Sequence, residues 1–189
     1  MPTAIDVSSV VGLIAVGALT ANILLGLLLS TGYNPQRRWP RRRIKLFTLH
    51  NWTGYLALGI VLLHPAIILA SSTAGFRIVD ILAPISSPSQ PIVNTLGAIG
   101  LYLVAFAVIT SYSRRRFGFH RWKQLHYTTY AAAAVFYVHG VLSDPLLQGR
   151  PVDWIDAEKV YVEGCALLVV AATVWRYRVA RRSIRVKTM

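Results

Sequence analysis

LHNWTGYLALGIVLLH, residues 49–64, decides how this chain is read. It is an apolar stretch with one histidine near its start, His50, and another at its end, His64. On a helix that fourteen-residue spacing returns to within about 40° of the same face and rises about 20 Å. The apolar run around it, residues 46–71, exceeds the length of about 20 residues that a bilayer crossing needs. An ionisable side chain at membrane depth is costly, and by default it marks a functional site. His50 and His64 therefore mark two depths along one face of one span.

A second pair, His126 and His139, lies in the apolar segment 124–143. Its thirteen-residue spacing leaves about 140° between the two side chains on a regular helix. To face one partner, that segment needs local over- or underwinding, a π-bulge or a swung side chain. Three further apolar segments, at 7–31, 91–113 and 158–177, bring the expected spans to five. The first lacks a basic start and carries Asp6 instead, so it reads as a helix and not as a cleaved signal.

The net charge of +13 raises the question of nucleic acid, which the placement of charge answers. Seventeen of twenty Lys and Arg fall in three blocks, Arg37–Lys45, Arg114–Lys123 and Arg176–Lys187, each against an apolar run. That is the positive-inside pattern of membrane topology, with attraction to lipid headgroups, and it excludes a nucleic-acid footprint. The loops between spans 1 and 2 and between 3 and 4, with the C-terminal tail, are then cytoplasmic. The N-terminus and the loops 72–90 and 144–157 lie outside. Trp39, Trp122, Trp154 and Trp175 fall near the expected interfaces. Both outer loops are too apolar for plain linkers and are expected to fold back over the outer face. The expected fold is an all-α integral membrane protein, a single five-helix transmembrane domain in a plasma or bacterial inner membrane.

Both histidine-bearing spans then run from inside to outside. Pairing by depth couples His50 with His126 near the inner side and His64 with His139 near the outer side. Each couple can supply both axial ligands of one heme, giving a bundle that holds two stacked hemes. An iron with no open position suits electron transfer better than oxygen binding. The only cysteine, Cys165, rules out an internal disulfide and a cysteine-ligated cluster; without a CxxCH motif, heme b is favoured over covalently attached heme. Cys165 itself reads as a small apolar residue within a span. Pro65 can kink the helix beside His64. Gly54 and Ala131–Ala134 offer small-residue surfaces, for a macrocycle or for plain helix packing. Arg43, Lys45, Arg121 and Lys123 lie where inner propionates would sit, although topology alone explains them. Arg77 and Arg150 are two of only three cations in the outer segments, placed for outer propionates or an anionic acceptor. His120, in the inner basic loop, reads as a surface histidine.

The stretch at 49–64, with RWKQLH at 121–126 and FYVHG at 136–140, resembles the ferric reductase-like transmembrane domain. NADPH oxidases, ferric reductases and the heme subunit of a periplasmic methionine sulfoxide reductase share that domain. Its heme histidines are separated by thirteen and then twelve intervening residues, as are His50 and His64, then His126 and His139. The resemblance covers about residues 40–180 and implies two b-type hemes, electrons arriving from the inside and an acceptor reduced outside. The family core commonly has six helices where five are read here. No flavin- or nicotinamide-binding segment follows the last helix, so the expected donor is separate: a flavoprotein, a quinol or a neighbouring subunit. The expected acceptor is ferric iron, oxygen or an outer redox partner. A metalloreductase and a partner-dependent electron-transfer subunit are not separable at this level. A quinol-linked diheme cytochrome and a structural or assembly subunit of a larger membrane complex stay open as alternatives.

Overall fold

The computed structural model describes residues 3–32, 45–71, 74–143 and 155–187, with side chains described as far as residue 180. Every regular element among them is helical. Helix α1 (Ala4–Ser30) opens on a capping box, in which Thr3 Oγ1 accepts from the Asp6 amide and the Asp6 carboxylate accepts from the Thr3 amide. Asp6 thus has a local structural role at the helix start. Helix α2 (Leu46–Leu69) carries both histidines of the first pair and continues through Pro65. A short helix α3 (Ile78–Leu82) and a 3-10 turn (Pro84–Ser86) follow.

Helix α4 (Pro91–Tyr112) begins on a proline, whose missing N–H is no loss in a first turn. The chain then breaks into α5 (Arg114–Phe117) and α6 (Phe119–His126) around Gly118, whose φ of +72° suits glycine. Helix α7 (Thr128–Leu142) and the long α8 (Ala157–Lys187) complete the chain. By length and composition α1, α2 and α4 can each cross a membrane. The remaining two expected spans correspond to α6 with α7 and to α8.

Contacts along the helices fix the relative directions. Ser8 meets His64 and Asn22 meets His50, so α1 and α2 are antiparallel. Val93 meets His139 and Ser111 meets His126, so α4 is antiparallel to the stretch from the end of α6 through α7. Arg176 of α8 donates to Ser30 Oγ at 2.8 Å, tying the far ends of α1 and α8 together. Between the histidine pairs sits a core of Ala15, Val61, Leu101, Val104, Ala132 and Phe136. Small residues there let the helices approach closely, as membrane helix packing requires. Large apolar side chains cover the outside instead: Trp52 is 68% exposed, Ile109 63% and Leu167 69%. A water-soluble protein would not sustain that surface, whereas lipid tails are its natural solvent.

Candidate functional site

The bundle brings the four histidines together in two pairs. His50 and His126 meet near one end, with ring centroids 6.1 Å apart and planes at 79°. His64 and His139 meet near the other end, at 6.3 Å and 75°. The awkward spacing on the second strand of this pairing is absorbed at Tyr127, where α6 stops and α7 starts. Tyr127 N bonds to Gln124 O at 3.2 Å and Tyr130 N to Tyr127 O at 3.1 Å, both three-residue steps. Such a turn is overwound relative to an α-helix and rotates His126 toward the face of His139.

Each ring is held through the same nitrogen. His50 Nδ1 lies 3.1 Å from Asn22 O, His64 Nδ1 2.7 Å from Ser8 O, and His139 Nδ1 2.8 Å from Val93 O. A carbonyl oxygen only accepts, so in these three rings Nδ1 carries the proton and Nε2 keeps the lone pair. His126 Nδ1 instead faces the Ser111 hydroxyl at 3.2 Å. A fixed Nδ1–H with Nε2 free to donate its lone pair is the arrangement of a metal-ligating histidine. Two imidazoles bound trans to one metal, at a metal–nitrogen distance of about 2.0 Å, set their centroids about 6.3 Å apart. Both pairs stand at that spacing. Among the described residues no group of three or more His, Cys, Asp or Glu could hold a metal on its own, so an ion between two of these rings would need further ligands beyond them. A porphyrin supplies four such ligands, and the residues present fit it.

Glycines make room for the rings. A Cβ on Gly12 would stand 3.1 Å from His64, on Gly26 3.2 Å from His50, and on Gly97 2.8 Å from His139. Gly54, by contrast, faces the Asn22 amide at 3.4 Å, so its small size serves the contact between α1 and α2. Ala132 and Ala133 are buried, while Ala131 and Ala134 face outward.

At the His64–His139 end the segment 76–86 packs against the bundle, with Tyr102 Oη donating to Leu82 O. It helps to line a small cleft that also touches His64, His139, Asn94, Phe76 and Asp80. Arg77 is exposed, and its guanidinium is engaged by the buried Asp80 carboxylate, with Nε at 3.1 Å and Nη2 at 3.3 Å. The Arg77 side chain depresses the Asp80 carboxyl below its ordinary range, and the Arg77 backbone N–H adds to this. Arg121 and Lys123 are exposed on α6 near His126, and Lys45 precedes α2. His120 is exposed, beside Phe119. Arg43 and Arg150 lie outside the described residues.

The supporting residues were not singled out from the sequence, yet their signal is present there. Ser8 and Asn22, Gly12 and Gly26, and Gly97 and Ser111 each repeat the fourteen-residue step of His50 and His64. Polar or glycine positions at that step in an apolar helix mark the face that meets a histidine helix.

These features define an all-helical membrane protein whose helices present two facing histidine pairs at different depths. The family model described as the ferric reductase like transmembrane component matches residues 11–137, more than half of the chain, and the protein belongs to that family. His50, His64 and His126 fall within the match, and His139 lies just beyond it. Domains of this family generally bind heme, and membership carries a role in membrane electron transfer. No curated protein and no solved structure matched the chain.

Proposed function

We propose that this protein is a diheme b-type cytochrome, a five-span bundle carrying electrons from an inner donor to an outer acceptor. The observation that carries the reading is the spacing of the two histidine pairs, 6.1 and 6.3 Å between ring centroids. His50 and His126 hold the inner group and His64 and His139 the outer one. When bound, heme supplies an iron that accepts and releases one electron at a time. The chain fixes the tautomers of the rings that would hold the two groups, and it separates the two sites by roughly 20 Å of helix.

Orientation follows from charge. Arg114, Arg115, Arg116, Arg121 and Lys123 lie next to the His126 end, and Arg176 is hydrogen-bonded to Ser30 on the same side. By the positive-inside rule that side is cytoplasmic, which places the N-terminus outside and the C-terminus inside. Electrons arrive there from a flavoprotein, a quinol or a neighbouring subunit, and leave at the outer face to a redox partner or a small acceptor. Without a CxxCH motif the porphyrin is held by ligation and packing alone.

A pyridine hemochrome assay on the detergent-purified protein tests this directly. Two b-type hemes per chain are expected. A chain that carries none, when produced with ample heme supply, would sink the electron-transfer reading.

A further inference from the structure

Residues 76–86, between α2 and α4, do not rest on top of the bundle. They lie beside it, below the ends of the helices that they join. Tyr102 is the twelfth residue of α4, roughly 16 Å along the axis from Pro91, and its hydroxyl donates to Leu82 O. Asp80, Ile81 and Pro84 share one cleft with Gly97 and Leu101, about 9–15 Å down the same helix. Val61 lines that cleft from α2, about 12 Å before the helix ends at Leu69. Two helices thus put the segment at one level.

The length of α4 says what that level is in a membrane. Its 22 residues measure about 33 Å, little more than the roughly 30 Å of hydrocarbon they have to cross. Arg114, Arg115 and Arg116 follow its last turn and fix that end at the headgroups. Pro91 therefore stands close to the opposite headgroups. Side chains on a helix lean toward its start, so the Tyr102 phenol points back toward Pro91. Leu82 still lies about two turns, or roughly 10 Å, below that residue, which is among acyl chains.

The segment's own chemistry suits that depth. Ile78, Val79, Leu82 and Ile85 turn outward, each 54–76% exposed, and they continue the apolar surface that Ile92 and Ile99 give α4. Its one acid, Asp80, is 3% exposed and paired with Arg77, the arrangement that charges at membrane depth adopt. Arg77 is exposed, and a long arginine side chain carries its charge toward the headgroups. Backbone groups at such depth need partners within the protein. Ala83 N bonds to Val79 O and Ser87 N to Pro84 O, Tyr102 satisfies Leu82 O, and Asp80 accepts from the Arg77 N–H. Pro84 and Pro88 have no N–H to satisfy.

We propose that residues 76–86 are a re-entrant segment seated in the leaflet at the His64–His139 end, with Ile78, Val79, Leu82 and Ile85 among the lipid tails. The segment fills the side of the bundle between α2 and α4 and screens the cleft beside His64 and His139 from the lipid phase. The inference needs only the membrane setting and is independent of heme content.

The test is nitroxide scanning of the full chain in lipid nanodiscs, in a Cys165→Ala background. One label at a time is placed at Ile78→Cys, Val79→Cys, Leu82→Cys or Ile85→Cys. Power saturation compares collisions with oxygen, which concentrates among acyl chains, and with a water-soluble nickel chelate. Oxygen should outweigh nickel several-fold at all four positions, as at Ile99→Cys on the exposed face of α4. Nickel outweighing oxygen at two or more of them would place the segment in water above the bundle and overturn the inference. Protection from both reagents would mean that a second copy or another protein covers the face, and would overturn it as well. Every substituted side chain is exposed, so the label displaces no packing, and if one variant does not insert the other three decide. Heme does not enter the readout, so failure here leaves the diheme reading untouched.

Discussion

Ser8 and Asn22, fourteen residues apart on α1, hold His64 and His50 by the same pair of bonds. In each case the side chain donates to the histidine's backbone carbonyl, Ser8 Oγ to His64 O at 2.8 Å and Asn22 Nδ2 to His50 O at 2.6 Å. The residue's own carbonyl then accepts from the histidine's Nδ1–H, at 2.7 Å and 3.1 Å. A helix without a single histidine therefore sets the orientation of both histidines on its neighbour. Asn22→Ala should disturb the inner site alone and Ser8→Ala the outer site alone. Asn22→Ala loses part-buried bonds to His50 O and Thr53 Oγ1, and Ser8→Ala the one to His64 O; at about 1 kcal/mol per bond the fold should survive. Heme counted per chain, with the low-spin spectrum of each site, checks this. Loss of both signals from either single change would show that α1 acts on the whole bundle and not site by site.

Gly97 faces His139 so closely that no side chain fits. An added Cβ would stand 2.8 Å from the ring's Cε1 and 3.0 Å from its Nε2, the nitrogen expected to ligate. Both residues sit in regular helix, so relief has to come from the imidazole swinging away. Gly97→Ala is expected to cost about 1–3 kcal/mol by overpacking and to release the outer heme while the inner one stays. Gly12→Ala, with its Cβ at 3.1 Å from His64, should do the same more mildly. A Gly97→Ala protein that keeps both hemes and their spectra would mean that His139 can ligate from another rotamer.

How much of this was legible in the chain differs between parts of the site. His50 and His64 could be placed on one face because fourteen residues nearly close four helical turns. His126 and His139 could be paired with them only by depth, since their face depends on the overwound turn at Tyr127, a local distortion that no spacing rule foretells. The support from α1 and α4 was harder to read, because Ser8 and Asn22 look like scattered polar residues until their partners are known. Gly54, one turn past His50, was open between room for a macrocycle and plain helix packing, and it stands against the Asn22 amide, which is packing. The loop at 76–86 was legible as apolar and surface-covering, but the Arg77–Asp80 clamp depends on the turn that brings the two side chains to one point.

That clamp gives a pH dependence with a definite sign. The Asp80 carboxylate accepts from Arg77 Nε and Nη2 and from the Arg77 backbone N–H, at 3.1, 3.3 and 2.9 Å. Its folded pKa is depressed, chiefly by the Arg77 side chain. The clamp's contribution is therefore complete above the ordinary carboxylate value of about 4, and it is lost as pH falls through the lower folded value. A spin label on Ile85→Cys, an exposed position in the same loop, should be immobile near neutrality and should gain motion only in strong acid. Adding Asp80→Asn should mobilise the label at every pH and abolish the acid step. A label equally immobile with and without Asp80→Asn would show that apolar packing, and not the ion pair, holds the loop down.

The direction of electron flow can be read from variants that remove one site at a time. His126→Ala should remove the inner heme while the protein remains inserted, because Trp122 and Ser111 keep each other as partners. With that station gone, dithionite added outside should still reduce the outer heme, whereas an inner donor should no longer do so, since about 20 Å of apolar helix then separates it from the nearest iron. The double change His64→Ala with His139→Ala should give the mirror result. The inner heme should still fill from the donor side, and reduction of an outer acceptor should cease. Both variants reconstituted in sealed vesicles of known orientation, with an impermeant donor on one side and ferricyanide on the other, make the comparison. Continued transfer through the double variant would mean that the outer histidines are not on the route, and that the acceptor draws its electrons directly from the inner site.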